Sequence, residues 1–330
     1  MAIYHLAVKS VSRSTGRSSV AAAAYRSGDR LTNERDGLVH DYTGRGGVEA
    51  SFLVVPEGAT WAQDRSALWN AAEAAEKRKD AKTAREYELA LPAELDADAR
   101  RELVRAFAEG LRDRYGVAVD AAIHAPHDQG DDRNHHAHVL TTTRVVTPEG
   151  LGAKTRQLDV RSTAAVEVEA VRESWASLVN QSLERAGHIE RVDHRSYARQ
   201  GLAIEPMVKL GPAASAIERR AQRQVPAGEK AQPVTLRGQF NELIRESRQL
   251  GIYIERGREW LRSVGERVKA LGPALSGLGL SGLVQGAART MRAELDRGDG
   301  AGMTPTIGKG PQDREIGRPD RGREDRGRGR

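Results

Sequence analysis

The sequence predicts an α+β fold in which a mainly antiparallel sheet carries helices on one side. Runs of strand length alternate with stretches of helical periodicity, in the order strand, helix, strand, helix, strand, helix. Two further apolar runs, over residues 117–124 and 136–146, follow this series. The segment between them is rich in Pro, Asp, Gly and Asn, which is typical of the connection in a β-hairpin. A hairpin joined to mixed strands and helices favours an antiparallel sheet covered by helices.

The predicted strands before the hairpin are short runs that end at turn-forming residues. Residues 3–11 alternate enough between apolar and polar side chains to form a strand. Residues 37–47 begin as an extended piece and break into a glycine-rich turn. Residues 51–55 have the composition of a buried strand that a Pro-Glu-Gly turn ends, and residues 85–91 form a strand that Pro92 stops.

The predicted helices carry apolar side chains at helical spacing. Ser18 or Ser19 can cap the first one, which runs over residues 20–28 and consists mainly of alanine. The remaining predicted helices cover residues 67–79, 96–114, 164–185 and 236–271. From residue 298 onward Gly, Pro, Arg and acidic residues dominate, so this tail cannot bury enough apolar surface to become ordered. It is either a solvated terminus or a weak contact for nucleic acid.

Charge and composition restrict the classes of partner and site. Lys and Arg number 52 against 46 Asp and Glu, which gives a formal net charge of +6. Many arginines carry the excess, and because guanidinium groups suit phosphate, a polyanion is the expected partner and acidic lipid the alternative. No apolar run approaches the roughly twenty residues that span a bilayer, and the N-terminus is too short and polar for a secretory signal. The absence of cysteine excludes disulfides and thiolate ligands, and a soluble cytoplasmic protein is expected.

A cluster of histidines lies at the predicted hairpin. His136 and His138 are two residues apart in one strand, so their side chains point to the same face of the sheet. His124, on the partner strand, can complete a triangle of three imidazoles, which predicts a metal site with open positions. His135 has the opposite parity and His127 lies in the connection, so both are weaker candidates. The alternative is that these histidines are ordinary surface or core residues.

Tyr25 is a candidate nucleophile for such a site. A three-imidazole centre could activate water for hydrolysis, or it could polarise a phosphate ester for attack by a protein nucleophile. The neighbours of Tyr25 on its predicted helix are almost all alanine, which would let a polymer backbone approach the phenol. Arg26 and Arg30 are four residues apart, and on one helical face both could contact phosphates. The alternative is that the alanines only favour the helix and that Tyr25 packs in the core.

Other charged residues could belong to the same site. Glu86 and Glu88 share one face of their strand and could accept hydrogen bonds from metal-bound imidazoles, or they could form ordinary ion pairs on an exposed sheet face. Arg144, six residues after His138, would keep the histidine face if the strand continues. Lys154 and Arg156 are expected in a loop after a glycine-containing segment, either near DNA or as solvated charges.

Several of these segments occur in the same order in one known family. They are residues 1–6, the alanine-rich helix with Tyr25, residues 84–92, 123–124 and 134–140, and residues 192–197 followed by Gln200 and Gly201. By them the sequence resembles the MobA/MobL family of plasmid mobilisation relaxases, from residue 1 to about residue 220.

The resemblance implies a more specific fold than the order of the elements does. The family's fold is a five-stranded antiparallel sheet with flanking helices, the palm of HUH endonucleases and relaxases. Its two central strands carry the histidines, and the tyrosine helix lies across the site. We therefore expect a relaxase domain over residues 1–220, a charged helical region over residues 221–297 and the disordered Gly/Arg-rich tail over residues 298–330.

The resemblance also implies a role for each candidate residue. Tyr25 is the nucleophile, and Glu86 orients a ligand histidine or helps to deprotonate the tyrosine, with Glu88 as the alternative for that role. A divalent metal ion is implied as cofactor, Mg²⁺ or Mn²⁺ by the family's usage, although three imidazoles by themselves favour ions such as Mn²⁺, Zn²⁺ or Co²⁺. The implied metal ligands are His124, His136 and His138.

The implied activity is nicking of single-stranded DNA at a plasmid origin of transfer. Attack by the tyrosine would leave a 5′-phosphotyrosyl link and a free 3′-hydroxyl, and the reverse attack would religate the strand. Accessory mobilisation proteins and a type IV secretion coupling protein are expected as partners, without membrane insertion, as is transfer with the DNA to a recipient cell.

Three alternatives are open at this point. A rolling-circle replication initiator uses the same histidine motif, but its tyrosine follows the histidines, whereas Tyr25 precedes them. A metal-dependent nuclease that uses water predicts that Tyr25→Phe stays active. A non-catalytic DNA-binding protein predicts that substitution of the histidines leaves function intact.

Overall fold

The computed structural model describes residues 3–126, 132–226 and 228–276. The chain divides into two compact units. The first runs to Pro206 and also includes Ser215–Ala231, and the second comprises Met207–Ala214 and the residues from Gln232 onward. The predicted tail over residues 298–330 lies outside the described residues, and the predicted domain boundary near Arg220 stays a prediction.

The described residues form strands and helices in the following order. The strands are β1 (Leu6–Ser12), β2 (Arg30–Asn33), β3 (Leu38–Asp41), β4 (Val48–Val54), β5 (Lys82–Ala90), β6 (Val119–His124), β7 (His136–Thr142), β8 (Arg144–Thr147) and β9 (Gly150–Lys154). The α-helices are α1 (Ser19–Ser27), α2 (Arg65–Ala74), α3 (Ala97–Tyr115), α4 (Arg161–Arg185), α5 (Gly211–Gln222) and α6 (Leu236–Ser276). Within the part of the chain that is described, no helix combines the length and apolar character needed to cross a membrane.

Five strands form the main sheet, in the order β1-β5-β7-β6-β4. Every pair of neighbours is antiparallel. Strand β7 is therefore central, β6 lies beside it, and β1 and β4 form the edges. The expected five-stranded antiparallel sheet with flanking helices is confirmed.

Helices cover both faces of this sheet, so the prediction of helices on one side is wrong. On one face Tyr87 of β5 and Val139 of β7 pack with residues of α3 and α4, where the rings of Phe107 and Trp175 lie 5.2 Å apart. On the other face Leu140 of β7 joins a core that residues of α1 and α2 supply. Strand β6 is buried along its whole length, and a strand buried on both sides needs cover on both sides.

The helix that carries Tyr25 has well-defined ends. Ser18 is the N-cap, because its side chain accepts hydrogen bonds from the backbone N–H groups of Val20 and Ala21. The helix stops at Gly28, whose positive φ of 73° is the left-handed conformation that glycine adopts without strain. The chain then turns into β2, so Arg30 lies on a strand. The expectation that Arg26 and Arg30 share a helical face is therefore wrong.

The chain after the central strand differs from the predicted continuous strand over residues 136–146. Strand β7 ends at Thr142, and β8 pairs with β9 in a separate hairpin that places Arg144 opposite Lys154. Lys154 therefore lies on a strand and not in the predicted loop. Thr142 participates in this change of direction, because its hydroxyl donates to the carbonyl of Arg144.

The second unit is organised around the long helix α6. The side chain of Asn241 is 3% exposed, and it bonds both the N–H and the carbonyl of Val208 at 2.7 and 2.8 Å. Arg237 donates to the carbonyls of Lys209 and Leu210. The bounds of α6, Leu236–Ser276, confirm the predicted helix over residues 236–271.

Candidate metal centre and nucleophile

Three imidazoles converge on the face of the sheet that α1 and α2 cover. His124 of β6 lies directly opposite His136 of β7 in the strand register. His138 is two residues after His136, so it projects from the same face of β7. The ring centroids lie 5.1 to 5.4 Å apart. One ring nitrogen from each histidine can be chosen so that the three lie within 4.8 Å of one another. The structure thus brings the three sequence-predicted ligands to one point.

Each of these imidazoles has one nitrogen engaged by an oxygen of the protein. Nε2 of His124 lies 2.8 Å from the carbonyl of Arg26, and Nδ1 of His136 lies 3.0 Å from the carbonyl of Asn134. Nδ1 of His138 lies 2.8 Å from Oε1 of Glu86. A carbonyl or ionised carboxylate oxygen only accepts, so these nitrogens carry the hydrogen. The opposite nitrogen of each ring keeps its lone pair, which is the form that a metal ligand requires.

Burial favours the neutral form of two of the three imidazoles. Burial lowers the pKa of His124 to about 4, and the charge of Arg45 is among the further causes. Burial also lowers the pKa of His136, again with a contribution from Arg45. Neither ring is protonated at neutral pH, so both can offer a lone pair to a divalent cation. The donor set therefore fits a metal ion.

Glu86 is an ionised carboxylate inside the protein. Its side chain is fully buried and accepts hydrogen bonds from His138 and from Nε of Arg26, the latter at 2.6 Å. Burial by itself would raise its pKa, but the hydrogen bond from His138 and the charge and hydrogen bond of Arg26 outweigh burial and lower the pKa to about 2. So weak a base is suited to orienting His138 and unsuited to removing a proton from a phenol.

Glu88 lies on the same face but nearer the solvent. It forms an ion pair with Lys9 of the neighbouring strand β1. Its carboxylate can also come within 4.8 Å of ligand atoms of Glu86 and His138. Both predicted carboxylates are thus placed beside the histidines, one buried and one paired at the surface.

Helix α1 brings Tyr25 to this face. The helix packs against β4 and β6, and its alanines at positions 22 to 24 are buried. Tyr25 itself is 46% exposed, which does not fit the alternative of a core tyrosine. The next residue, Arg26, contacts the site twice, through its carbonyl to His124 and through its guanidinium to Glu86. The helix is thereby fixed directly to the histidine cluster.

A family model for the MobA/MobL family matches residues 17–220, which include Tyr25, Glu86, Glu88 and the three histidines. The chain belongs to the MobA/MobL family.

Two relatives illustrate the extent of the similarity. This MobA/MobL protein is 45% identical over 246 residues to Mobilization protein MobL of Acidithiobacillus ferridurans, a match that covers 67% of this chain and 65% of the relative. It is 33% identical over 252 residues to Conjugal transfer protein TraA of Rhizobium radiobacter, covering 68% of this chain and 22% of that protein. The chain thus matches less than two thirds of the length of MobL and about a fifth of TraA.

A solved structure has the same fold. It is described as the molecular basis of vancomycin resistance transfer in Staphylococcus aureus, and it matches with a TM-score of 0.52 at 30% identity. The match covers 59% of this chain and 100% of that chain.

The arginines near the start of this MobA/MobL domain do not share one surface. Arg26 is 9% exposed, and its guanidinium forms an ion pair with Glu86. The side chain of Arg26 therefore faces the interior and is not available to a phosphate. Arg30 is exposed on β2, with a side chain 3.7 Å from Asp41. Of these two predicted DNA contacts, only Arg30 is available to a ligand in solution.

The predicted DNA contacts that follow the histidines in the chain lie on β8, on β9 and in the turn after β9. Arg144 donates to Glu76 at 2.9 Å, and Lys154 lies 2.6 Å from the same carboxylate. Arg144 follows the end of the central strand β7 at Thr142, and its guanidinium also donates to the carbonyls of Gly152 and Ala75. Arg156 lies exposed in a short 3-10 turn.

Two residues close to Tyr25 were not predicted from the sequence. The ring of Tyr42 makes an edge contact with Tyr25, with centroids 5.1 Å apart. The guanidinium carbon of Arg45 lies 3.7 Å from the centroid of the Tyr25 ring. The glycine-rich segment over residues 44–47 contains an arginine, and this was the available signal in the sequence.

Proposed function

We propose that this chain is a relaxase that nicks one strand of DNA at an origin of transfer by transesterification through Tyr25. The observation that carries the proposal is that a solvent-accessible tyrosine lies on a helix attached to a cluster of three imidazoles, each with one nitrogen that no described residue engages. Arg26, the residue after Tyr25, is bonded to both His124 and Glu86, which ties the nucleophile's helix to the ligand cluster. Relatives named for mobilisation and conjugal transfer support the same role.

A divalent metal ion is the proposed cofactor, held by His124, His136 and His138. Mg²⁺ or Mn²⁺ is expected, and Zn²⁺ suits a three-imidazole donor set as well. When bound, the ion would supply Lewis-acid stabilisation of the charge that builds on the non-bridging oxygens of the phosphate. Glu86 would hold His138 in the tautomer and orientation that binding requires.

The proposed reaction exchanges one phosphodiester bond for another. The phenolic oxygen of Tyr25 attacks phosphorus, an O–P bond to tyrosine forms, and the bond from phosphorus to the 3′-oxygen breaks. The phenolic proton is lost and the 3′-oxygen gains one, so the products are a 5′-phosphotyrosyl DNA and a free 3′-hydroxyl. The bond energy is conserved in the new ester, and the reverse attack can religate the strand without ATP.

The partners of this reaction are proposed as well. Single-stranded origin-of-transfer DNA would be the substrate, with Arg30 as the exposed arginine nearest to the tyrosine helix among the predicted contacts. Accessory mobilisation proteins and a type IV secretion coupling protein would bind outside the site.

Covalent trapping tests the proposal. Full-length protein is incubated with Mn²⁺ and a 3′-labelled single-stranded oligonucleotide that covers the origin of transfer of its own replicon, and the products are separated on a denaturing gel. We expect a protein–DNA adduct with the wild type, none in EDTA, and none with Tyr25→Phe.

Tyr42→Phe is the matched control, because it removes a hydroxyl from the neighbouring ring and keeps the aromatic contact with Tyr25. It should form the adduct as the wild type does. Cleavage that survives Tyr25→Phe without an adduct would replace the proposal with a nuclease that uses water. Binding without any cleavage, and unaffected by substitution of the histidines, would leave a non-catalytic DNA-binding protein.

A further inference from the structure

Arg45 has two contacts with the residue proposed as nucleophile. Its guanidinium lies over the ring of Tyr25, 3.7 Å from the centroid, and one of its N–H groups donates to the backbone carbonyl of Tyr25. A guanidinium stacked on an aromatic face presents its remaining N–H groups at its edge, in the plane of the group. Two N–H groups on this edge can bind two oxygens of a phosphate at the same time.

The charge of Arg45 is not neutralised by the protein that is described. The guanidinium of Arg26 pairs with Glu86 and that of Arg30 with Asp41, but Arg45 forms no ion pair within the described ranges. Arg45 is half-buried. A half-buried arginine without a carboxylate partner beside a cluster of neutral imidazoles leaves a local excess of positive charge, which favours an anion.

The charge is also close to the histidine cluster. Burial is the largest cause of the lowered pKa of His124 and His136, and Arg45 lowers the pKa of both further. The backbone explains this proximity. The carbonyl of Gly47 accepts a hydrogen bond from Ala125 at 2.9 Å, and Val48 is in register with His124, so the turn that carries Arg45 is attached to the end of β6.

The turn itself leaves room for a ligand. Gly47 has a positive φ of 85°, and among the residues that the structure describes, a Cβ placed on Gly44, Gly46 or Gly47 would meet no atom within 4 Å. The backbone on either side of Arg45 therefore lies in open space. A phosphate group can therefore approach the backbone of this turn without a steric conflict at the glycines.

We propose that Arg45 binds the scissile phosphodiester, with its edge on the non-bridging oxygens and its face against Tyr25. The residue then sets both the position of the phosphorus and the position of the attacking ring. This inference rests on the proposed nicking function and names a further residue that contacts the substrate.

Binding to single neutral linkages tests the inference without any cleavage. The background is full-length Tyr25→Phe, which keeps the ring under Arg45. Its affinity is measured in EDTA for a series of origin oligonucleotides, each with a methylphosphonate at one successive linkage. We expect one linkage at which neutralisation weakens binding about tenfold, since a charge-assisted hydrogen bond has about that effect. Adding Arg45→Gln should remove the penalty at that linkage and no other, and Arg45→Lys should keep part of it.

Arg78→Gln is the control in the same background. Arg78 is a highly exposed arginine whose partner is Asp80, and its removal should leave the penalty at each linkage unchanged. Thermal unfolding of each variant shows that the comparison is between folded proteins. If every penalty is the same with and without Arg45, the inference is wrong.

The position of the sensitive linkage separates this inference from the proposed function. The linkage that depends on Arg45 should be the one that the wild-type protein nicks. An Arg45-dependent linkage elsewhere would contradict contact with the scissile phosphate, although it would show a phosphate contact. A wild type that forms no adduct with Mn²⁺ would remove the nicking function, while the binding comparison still decides whether Arg45 contacts a phosphate.

Discussion

At the scale of single residues, Glu86 shows how one buried carboxylate organises the candidate site. It accepts from His138 and from Arg26, and Arg17 lies 3.6 Å from its second oxygen. An ionised group without exposure to water persists only where such partners replace hydration. The same contacts fix the tautomer of His138, so the charge that stabilises the interior also prepares a metal ligand.

Replacement of Glu86 should therefore destabilise the fold in a way that depends on pH. Glu86→Gln leaves Arg26 buried without a counter-charge, and the expected loss is about 3 kcal/mol at neutral pH. The pKa of Glu86 is lowered from 4.5 to about 2, so its contribution is fully present above the unfolded value and is lost as the pH falls through the folded value. Urea unfolding of the metal-free protein should show the difference between wild type and variant shrinking from pH 5 toward pH 2.

Glu88→Gln is the control for this measurement. Glu88 lies on the same strand but pairs with Lys9 at the surface, so its removal should change the free energy of unfolding by about 1 kcal/mol or less. Equal losses for Glu86→Gln and Glu88→Gln would contradict the account of a buried, organising carboxylate.

At the scale of elements, helix α1 connects the candidate nucleophile to the rest of the domain. Its N-terminus is held by Ser18 and by the buried carboxylate of Glu73, which accepts from the N–H and the hydroxyl of Ser19 at 2.8 Å. Arg13 donates to the same carboxylate. Near its C-terminal end, the carbonyl of Arg26 holds His124. The helix is therefore fixed at both ends, and this fixes where Tyr25 is presented.

Removal of the cap should weaken this element measurably. Ser18→Ala leaves the N–H groups of Val20 and Ala21 without their acceptor and should lower the free energy of unfolding by about 1 kcal/mol. Chemical denaturation measures the change. Ser174→Ala, at an exposed position inside α4, is the matched substitution and should stay within about 0.5 kcal/mol of wild type. A Ser18→Ala variant as stable as the Ser174→Ala variant would show that the cap does not stabilise α1.

At the scale of the whole molecule, the first unit contains all the candidate site residues, and the second is a region of different character. Helix α6 is highly charged, yet it exposes Leu250, Ile252, Tyr253 and Ile254, each more than half accessible. Exposed apolar side chains grouped on a helix are typical of surfaces that bind other proteins. This suits the expected contacts to accessory mobilisation proteins or a coupling protein.

Deletion of residues 232–330 should separate DNA chemistry from transfer between cells. We expect the shortened chain to form the Tyr25 adduct with an origin oligonucleotide as the full chain does, because the sheet and both of its cores lie in the first unit. The frequency of mobilisation in a mating assay should fall, since the contacts to partners are lost. Unchanged mobilisation would remove the proposed role of the second unit.

The sequence predicted the features that depend on local periodicity. Residues two apart in a strand share a face, which placed His136 and His138 together and Glu86 with Glu88. Ser18 was one of the two predicted caps, and most of the predicted strands and helices of the first unit appear within a few residues of their expected bounds. The hairpin of β8 and β9 was missed, because strands of 4 and 5 residues are too short to show a clear alternation. Helix α5 was not predicted either.

The sequence by itself thus determined the approximate positions of the strands of the main sheet, the grouping of the histidines and the family to which the chain belongs. Only the tertiary structure decided which partner each charged side chain contacts. Arg26 turns into the interior toward Glu86, 60 residues away in the chain, Arg144 leaves the central strand to meet Glu76, and Arg45 lies over Tyr25. Periodicity specifies the face of an element but not the position at which the chain turns or which elements pack together. Long-range ion pairs and stacking contacts depend on those two choices, so they become visible only in the folded chain.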